Sequence, residues 1–120
     1  MQPPVIVYGI RNCDTVKKAR AWLDARGLAH RLHDLRTDGL APAMLDVWLR
    51  RFDWTRLLNR QGQTWRRLDP AAQAGVVDAP TARALMLAQP TVIRRPVIDW
   101  GDGRWTLGYA PDDWPPATGG

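Results

Sequence analysis

The most constraining feature of this chain is its first stretch, where a strand, a helix and a second strand follow one another within about thirty residues. Val5-Ile6-Val7-Tyr8 is β-branched and aromatic and stops at Gly9, the pattern of a buried strand. A short loop, Ile10-Arg11-Asn12, leads to Cys13, and the spacing predicts a helix from about Asp14 to Arg26. Val16, Ala19, Trp22 and Leu23 fall on one face of that helix, with Lys17, Lys18 and Asp24 largely on the other. Asn12 is the expected cap and Gly27 the expected stop. His30 to Leu35 reads as the second strand, which makes a βαβ unit with an expected right-handed crossover.

The middle of the chain is helical. Leu45, Trp48, Leu49 and Phe52 recur at helical spacing after Pro42. Further helices are expected over Trp54–Asn59, over Thr64–Ala74 with an interruption near Pro70, and over Pro80–Gln89 with Ala82, Leu85 and Met86 inward. From Pro90 the pattern returns to strand. Pro96–Trp100 and Arg104–Leu107 flank Gly101-Asp102-Gly103, a strong hairpin turn signal. Pro111–Trp114 starts a last short helix, and the tail from 115 to 120 is Pro- and Gly-rich and expected to be disordered. The expectation is one α/β domain over 1–120 with a thioredoxin-like core over about 5–114. Its sheet has four strands and is mixed, a βαβ unit plus a C-terminal hairpin, with a helical insertion over about 42–89.

Composition narrows the class. At 120 residues, 45% apolar and 24% charged, the sequence is that of an ordinary globular domain. No apolar run is long enough to cross a bilayer, and the first residues lack a secretory pattern, so a cytoplasmic address is the expectation. The formal net charge is +5, but 15 of the 17 basic residues are arginine and all 12 acids are aspartate. The arginines are spread along the chain, often beside Asp, with no recognised nucleic-acid motif. Such a surface favours anionic small substrates or acidic partners over nucleic acid. His30 and His33 lie on opposite faces of the expected strand, so no metal site is expected.

Cys13 is the only cysteine, which excludes a disulfide within the chain and a two-cysteine redox cycle closed inside it. At the start of a helix, free N–H groups and the helix dipole favour a thiolate, and Arg11 and Lys17 add positive charge. A small buried residue is the other reading of a lone cysteine, and position alone leaves both open. Thr15 either donates to the thiolate or helps cap the helix. Trp65, beside Arg66 and Arg67, is either a packing residue or one face of a cation–π surface.

The segment Tyr8-Gly9-Ile10-Arg11-Asn12-Cys13-Asp14-Thr15-Val16-Lys17-Lys18-Ala19 resembles the active-site segment of the YffB-like branch of the arsenate reductase (ArsC)/Spx family. Leu57-Leu58-Asn59-Arg60, Thr64-Trp65-Arg66-Arg67-Leu68, Arg94-Arg95-Pro96-Val97 and Gly108 extend the resemblance over about residues 5–114. It implies a thioredoxin-like fold with an extra helical block. It also implies a helix-start cysteine nucleophile, with glutathione and glutaredoxin as thiol donors. An arginine before a cis-proline, here Arg95-Pro96, would hold an oxyanion or a glutathione carboxylate.

Three positions depart from the family's arsenate reductases. Their arginine after the paired leucines is Asn59 here, with Arg60 one place later; the arginine after the last strand is Tyr109; the histidine before the cysteine loop is Gly9. Loss of positive charge weakens binding of a multiply charged oxyanion, which favours a glutathione-dependent monothiol reductase over arsenate reduction. A polymerase-binding regulator of the Spx type is the alternative from a different class. Its two-cysteine switch is absent, because the position three after Cys13 is Val16. The expected site therefore has Cys13 as nucleophile, with Arg95, Pro96 and Arg60 at the substrate or glutathione. Asn12, Thr15, Lys17 and Arg11 complete its surround. No bound cofactor is expected; glutathione serves as cosubstrate, and the substrate is a small anion or a disulfide.

Overall fold

β1 (Val5–Gly9) forms because its β-branched run is buried on both sides of the chain direction, with Val7 wholly inaccessible to solvent. A computed structural model of the chain describes residues 3–115. β1 is followed by α1 (Asp14–Ala25) and β2 (His30–Asp34), and β2 pairs with β1 in parallel, Val7 opposite Leu32. β3 (Val97–Asp99) runs antiparallel on the other side of β1, and β4 (Trp105–Leu107) closes the sheet against β3. The strand order is β2-β1-β3-β4, the mixed four-stranded sheet the sequence predicts.

The fold divides into two compact units, Met1–Asp38 with Arg95–Gly120, and Gly39–Arg94. In the first unit α1 lays Val16, Ala19 and Leu23, all wholly buried, against Val5, Val7, Ile98, Trp100 and Trp114. A fully buried Val or Leu contributes about 1.5–3 kcal/mol, so this one helix face is a large share of the unit's stability. Trp22, Trp100 and Trp114 meet edge to face, with centroids 5.0 to 6.2 Å apart, and the Arg26 guanidinium lies 3.9 Å over the Trp22 ring. α1 stops where expected. Gly27 takes φ +66, its N–H donates to the Asp24 carbonyl, and the Leu28 N–H reaches back to Leu23. The hairpin turn sits between Trp100 and Arg104, whose backbone groups bond at 3.0 Å.

The second unit contains α2 (Pro42–Arg51), α3 (Trp54–Leu57), α4 (Gln63–Arg67), α5 (Pro70–Ala74) and α6 (Ala79–Ala88). The insertion expected over 42–89 thus lies within Gly39–Arg94. Leu45 and Trp48 of α2, and Ala82 and Met86 of α6, are wholly buried, while Leu85 is only partly so. A two-pronged ion pair, Arg83 to Asp46 at 2.7 and 3.3 Å, joins α6 to α2. The interruption expected near Pro70 divides the Thr64–Ala74 stretch into α4 and α5, because Asp69 leaves the helical backbone and caps α5 through the Ala72 N–H. Asp53 and Asp78 cap α3 and α6 in the same way, which gives a structural use to part of the aspartate excess. The tail expected over 115–120 lies, beyond Pro115, outside the described residues.

Candidate active site

The cysteine loop is built by a tight turn. The Cys13 N–H donates to the Ile10 carbonyl at 3.0 Å, and the Cys13 carbonyl accepts the Lys17 N–H at 2.9 Å as the first bond of α1. Cys13 is therefore the N-cap residue itself, extended at φ −79 and ψ 129. Asn12, the expected cap, lies one place too early and is exposed; no side chain caps this helix. A helix start left uncapped by side chains keeps its first N–H groups for an anion.

Three contacts define the environment of the thiol. The Cys13 sulfur is 3.2 Å from the Thr15 hydroxyl oxygen. That hydroxyl donates to the Arg95 carbonyl at 3.1 Å, across 80 residues of sequence. The Arg95 guanidinium and the Val16 amide also favour the ionised sulfur. Partial burial, the largest single influence, pushes the thiol up, but Thr15, Arg95 and the Val16 amide together outweigh it and lower its pKa. The Arg95-Pro96 peptide bond is cis, as the resemblance implies. Pro96 is buried, and its carbonyl accepts the Gly108 N–H at 2.8 Å, which ties the end of β4 to this loop.

Cys13, Thr15, Arg95 and Pro96 are thus brought together. Arg11 and Lys17 are exposed, on the loop and the first turn. Arg60 belongs to the second unit, where its guanidinium faces Trp54 at 5.8 Å and Trp65 at 5.6 Å. The cation on Trp65 is thus Arg60 and not its neighbours Arg66 and Arg67, both of which are exposed.

Asp34 belongs to the site although nothing in the local pattern of β2 marks it. It is the buried charged residue of the structure's described part, 4% exposed at the end of β2. Its carboxylate accepts the Arg11 N–H at 2.9 Å, the Arg36 N–H at 2.8 Å and the Thr37 N–H at 3.2 Å. The Arg11 bond is the largest cause of a lowered Asp34 pKa, and burial opposes it. Asp34 therefore anchors the cysteine loop from the neighbouring strand. The available signal was an acidic residue at the end of a strand that the βαβ topology places beside that loop.

One of the departures, Gly9, has a steric cause. A Cβ on Gly9 would meet Val16 Cγ2 at 2.4 Å, so a side chain there requires Val16 or α1 to move. Tyr109 is 37% exposed and packs edge-on against Trp114 at 5.3 Å. Val16, where a second cysteine would stand, is wholly buried in the core.

Comparison with known proteins agrees with this architecture. The ArsC family pattern matches residues 8–116. An uncharacterised protein of Haemophilus influenzae is 42% identical over 105 residues, covering 88% of this chain and 90% of its own. The solved structure of a YffB protein is 44% identical, covers 90% of this chain and 93% of its own, and superposes with a TM-score of 0.83. An arsenate reductase (ArsC) related protein from Brucella melitensis is also 44% identical, covers 92% of this chain and 90% of its own, and has a TM-score of 0.75. With its family pattern, its fold and its helix-start cysteine loop in agreement, this chain belongs to the ArsC family.

Proposed function

We propose that this chain is a glutathione-dependent monothiol reductase with Cys13 as its nucleophile. The observation that carries the reading is the thiol at an uncapped helix start, in hydrogen-bond contact with Thr15 and stabilised as thiolate by Arg95, beside a cis-proline. Membership of the ArsC family supports thiol chemistry in this segment, and the absence of a second cysteine calls for an outside thiol. In the reaction, the Cys13 thiolate attacks one sulfur of a glutathionylated substrate. A Cys13–glutathione disulfide forms, and the substrate sulfur leaves as its thiolate. A glutathione thiolate then attacks the mixed disulfide, which frees Cys13 and yields oxidised glutathione. Arg95 lowers the cost of the Cys13 thiolate and pairs with a carboxylate of the tripeptide.

Gly9 and Tyr109 supply no cation for a multiply charged oxyanion, and Val16 leaves no two-cysteine switch. Both features favour the reductase over arsenate reduction and over a polymerase-binding regulator.

Incubation with oxidised glutathione followed by intact mass measurement tests the reading. The expected product carries one glutathionyl group, located on Cys13 and absent from Cys13→Ser. Its rate should rise with pH to a plateau whose midpoint lies below that of an ordinary thiol. Arg95→Ala should move that midpoint up and slow the reaction at neutral pH by about tenfold. A wild-type protein that stays unmodified while its thiol ionises would refute the mechanism.

A further inference from the structure

The Thr15 hydroxyl stands between two acceptors and has one proton to give. Its oxygen lies 3.2 Å from the Cys13 sulfur and 3.1 Å from the Arg95 carbonyl oxygen. With Cys13 protonated, both contacts are satisfied. The thiol donates to the Thr15 oxygen, and the Thr15 O–H donates to the Arg95 carbonyl. When Cys13 loses its proton to solvent, the first contact loses its donor. A thiolate is a charged acceptor and competes better for a hydroxyl than a neutral carbonyl does. The O–H then turns about its C–O bond toward the sulfur, and the carbonyl is released.

We propose that Thr15 is a positioning residue that couples the ionisation of Cys13 to the backbone of the Arg95-Pro96 loop. One hydroxyl proton serves the Arg95 carbonyl in the thiol state and the sulfur in the thiolate state. The charged group acting on the sulfur is Arg95, from the cis-proline loop, and the Val16 N–H acts from the first turn of α1. Both favour the thiolate, while the Thr15 hydroxyl joins it to the Arg95 carbonyl. The consequence is mechanical. The loop that carries the Arg95 guanidinium loses a tether to α1 at the moment the nucleophile is armed. The inference rests on the reading of Cys13 as nucleophile, yet its test needs no substrate.

The test follows two signals through one pH titration. Thiolate absorbance in the ultraviolet reports Cys13, and the carbonyl carbon resonance of Arg95 reports its hydrogen bond. In the wild type both should change with the same midpoint, and Cys13→Ser should abolish the carbonyl transition. Thr15→Ser, which keeps the hydroxyl, should retain the coupling. Thr15→Val, of similar shape, should raise the Cys13 midpoint by roughly half to one pH unit and flatten the carbonyl transition. The coupling is refuted if the wild-type carbonyl is silent while Cys13 ionises, or if Thr15→Val leaves its transition intact. Failure to form a glutathione adduct, with coupled signals, would instead refute the proposed function and leave this inference standing.

Discussion

Gly9→Ala is expected to destabilise the protein by about 2–3 kcal/mol, although alanine is the smallest change available at that position. The new Cβ would stand 2.4 Å from Val16 Cγ2, well inside van der Waals contact. Val16 has no room to withdraw, being wholly buried with Val7, Ala19 and Ile98 around it. Either α1 shifts off the sheet or Val16 leaves its rotamer, and both outcomes disturb the turn that presents Cys13. The midpoint of urea unfolding should therefore fall markedly. Val16→Ala alone should also destabilise, by about 1–2 kcal/mol, through the cavity it leaves. Combined with Gly9→Ala it should cost less than the sum by at least about 1 kcal/mol, because each change fills or vacates the same space. A Gly9→Ala protein that unfolds at the wild-type midpoint would show that the close approach does not constrain this position.

Removing the Asp34 carboxylate should have an effect of similar size, with a pH signature of its own. Asp34→Ala leaves the Arg11, Arg36 and Thr37 amides without their acceptor, and bonds to a charged group contribute about 1.5–3 kcal/mol each when buried. Because water reaches the exposed Arg36 and Thr37, the expected loss is nearer 3 kcal/mol than the full sum. The linkage sign follows from the lowered pKa in the folded protein. Over the interval between the folded and unfolded pKa values the unfolded chain binds more protons, so stability rises with pH there. The contribution is complete above the unfolded value of about 4 and is lost as pH falls through the folded one. Denaturant unfolding of wild type and Asp34→Asn at several pH values checks this. The difference should hold steady from pH 7 to about 5 and shrink toward pH 3. A constant difference across that range would remove Asp34 from the pH dependence. Since its first bond holds the Arg11 amide, the same variant should also form the Cys13 adduct more slowly.

These two residues separate what is local from what is not. Asp34 and Arg11 are 23 positions apart, and nothing in the periodicity of β2 distinguishes a buried carboxylate from an exposed one. Gly9 reads as the end of a strand; that it is also a point of close approach depends on where Val16 comes to rest. The N-cap shows the same limit on a smaller scale. Asn12 is the better capping residue, yet the turn closed by the Cys13 N–H on Ile10 starts the helix one residue later. Competing local signals one residue apart are decided by which hydrogen bonds the surrounding loop allows.

Local sequence pattern is enough to place a strand, the Cys13 loop and α1 in succession, to bury Val16, Ala19 and Leu23 on α1, and to turn a hairpin at Gly101–Gly103. These follow from β-branched runs, helical spacing and turn residues, which act over a few neighbours. It takes the folded chain to bring Thr15 to the Arg95 carbonyl, Asp34 to the cysteine loop and Val16 against Gly9. Each depends on two segments distant in the chain meeting at a hydrogen-bond or contact distance. The sheet order β2-β1-β3-β4 creates those meetings, by setting β1 between the strand that ends in Asp34 and the strand that follows the Arg95-Pro96 loop.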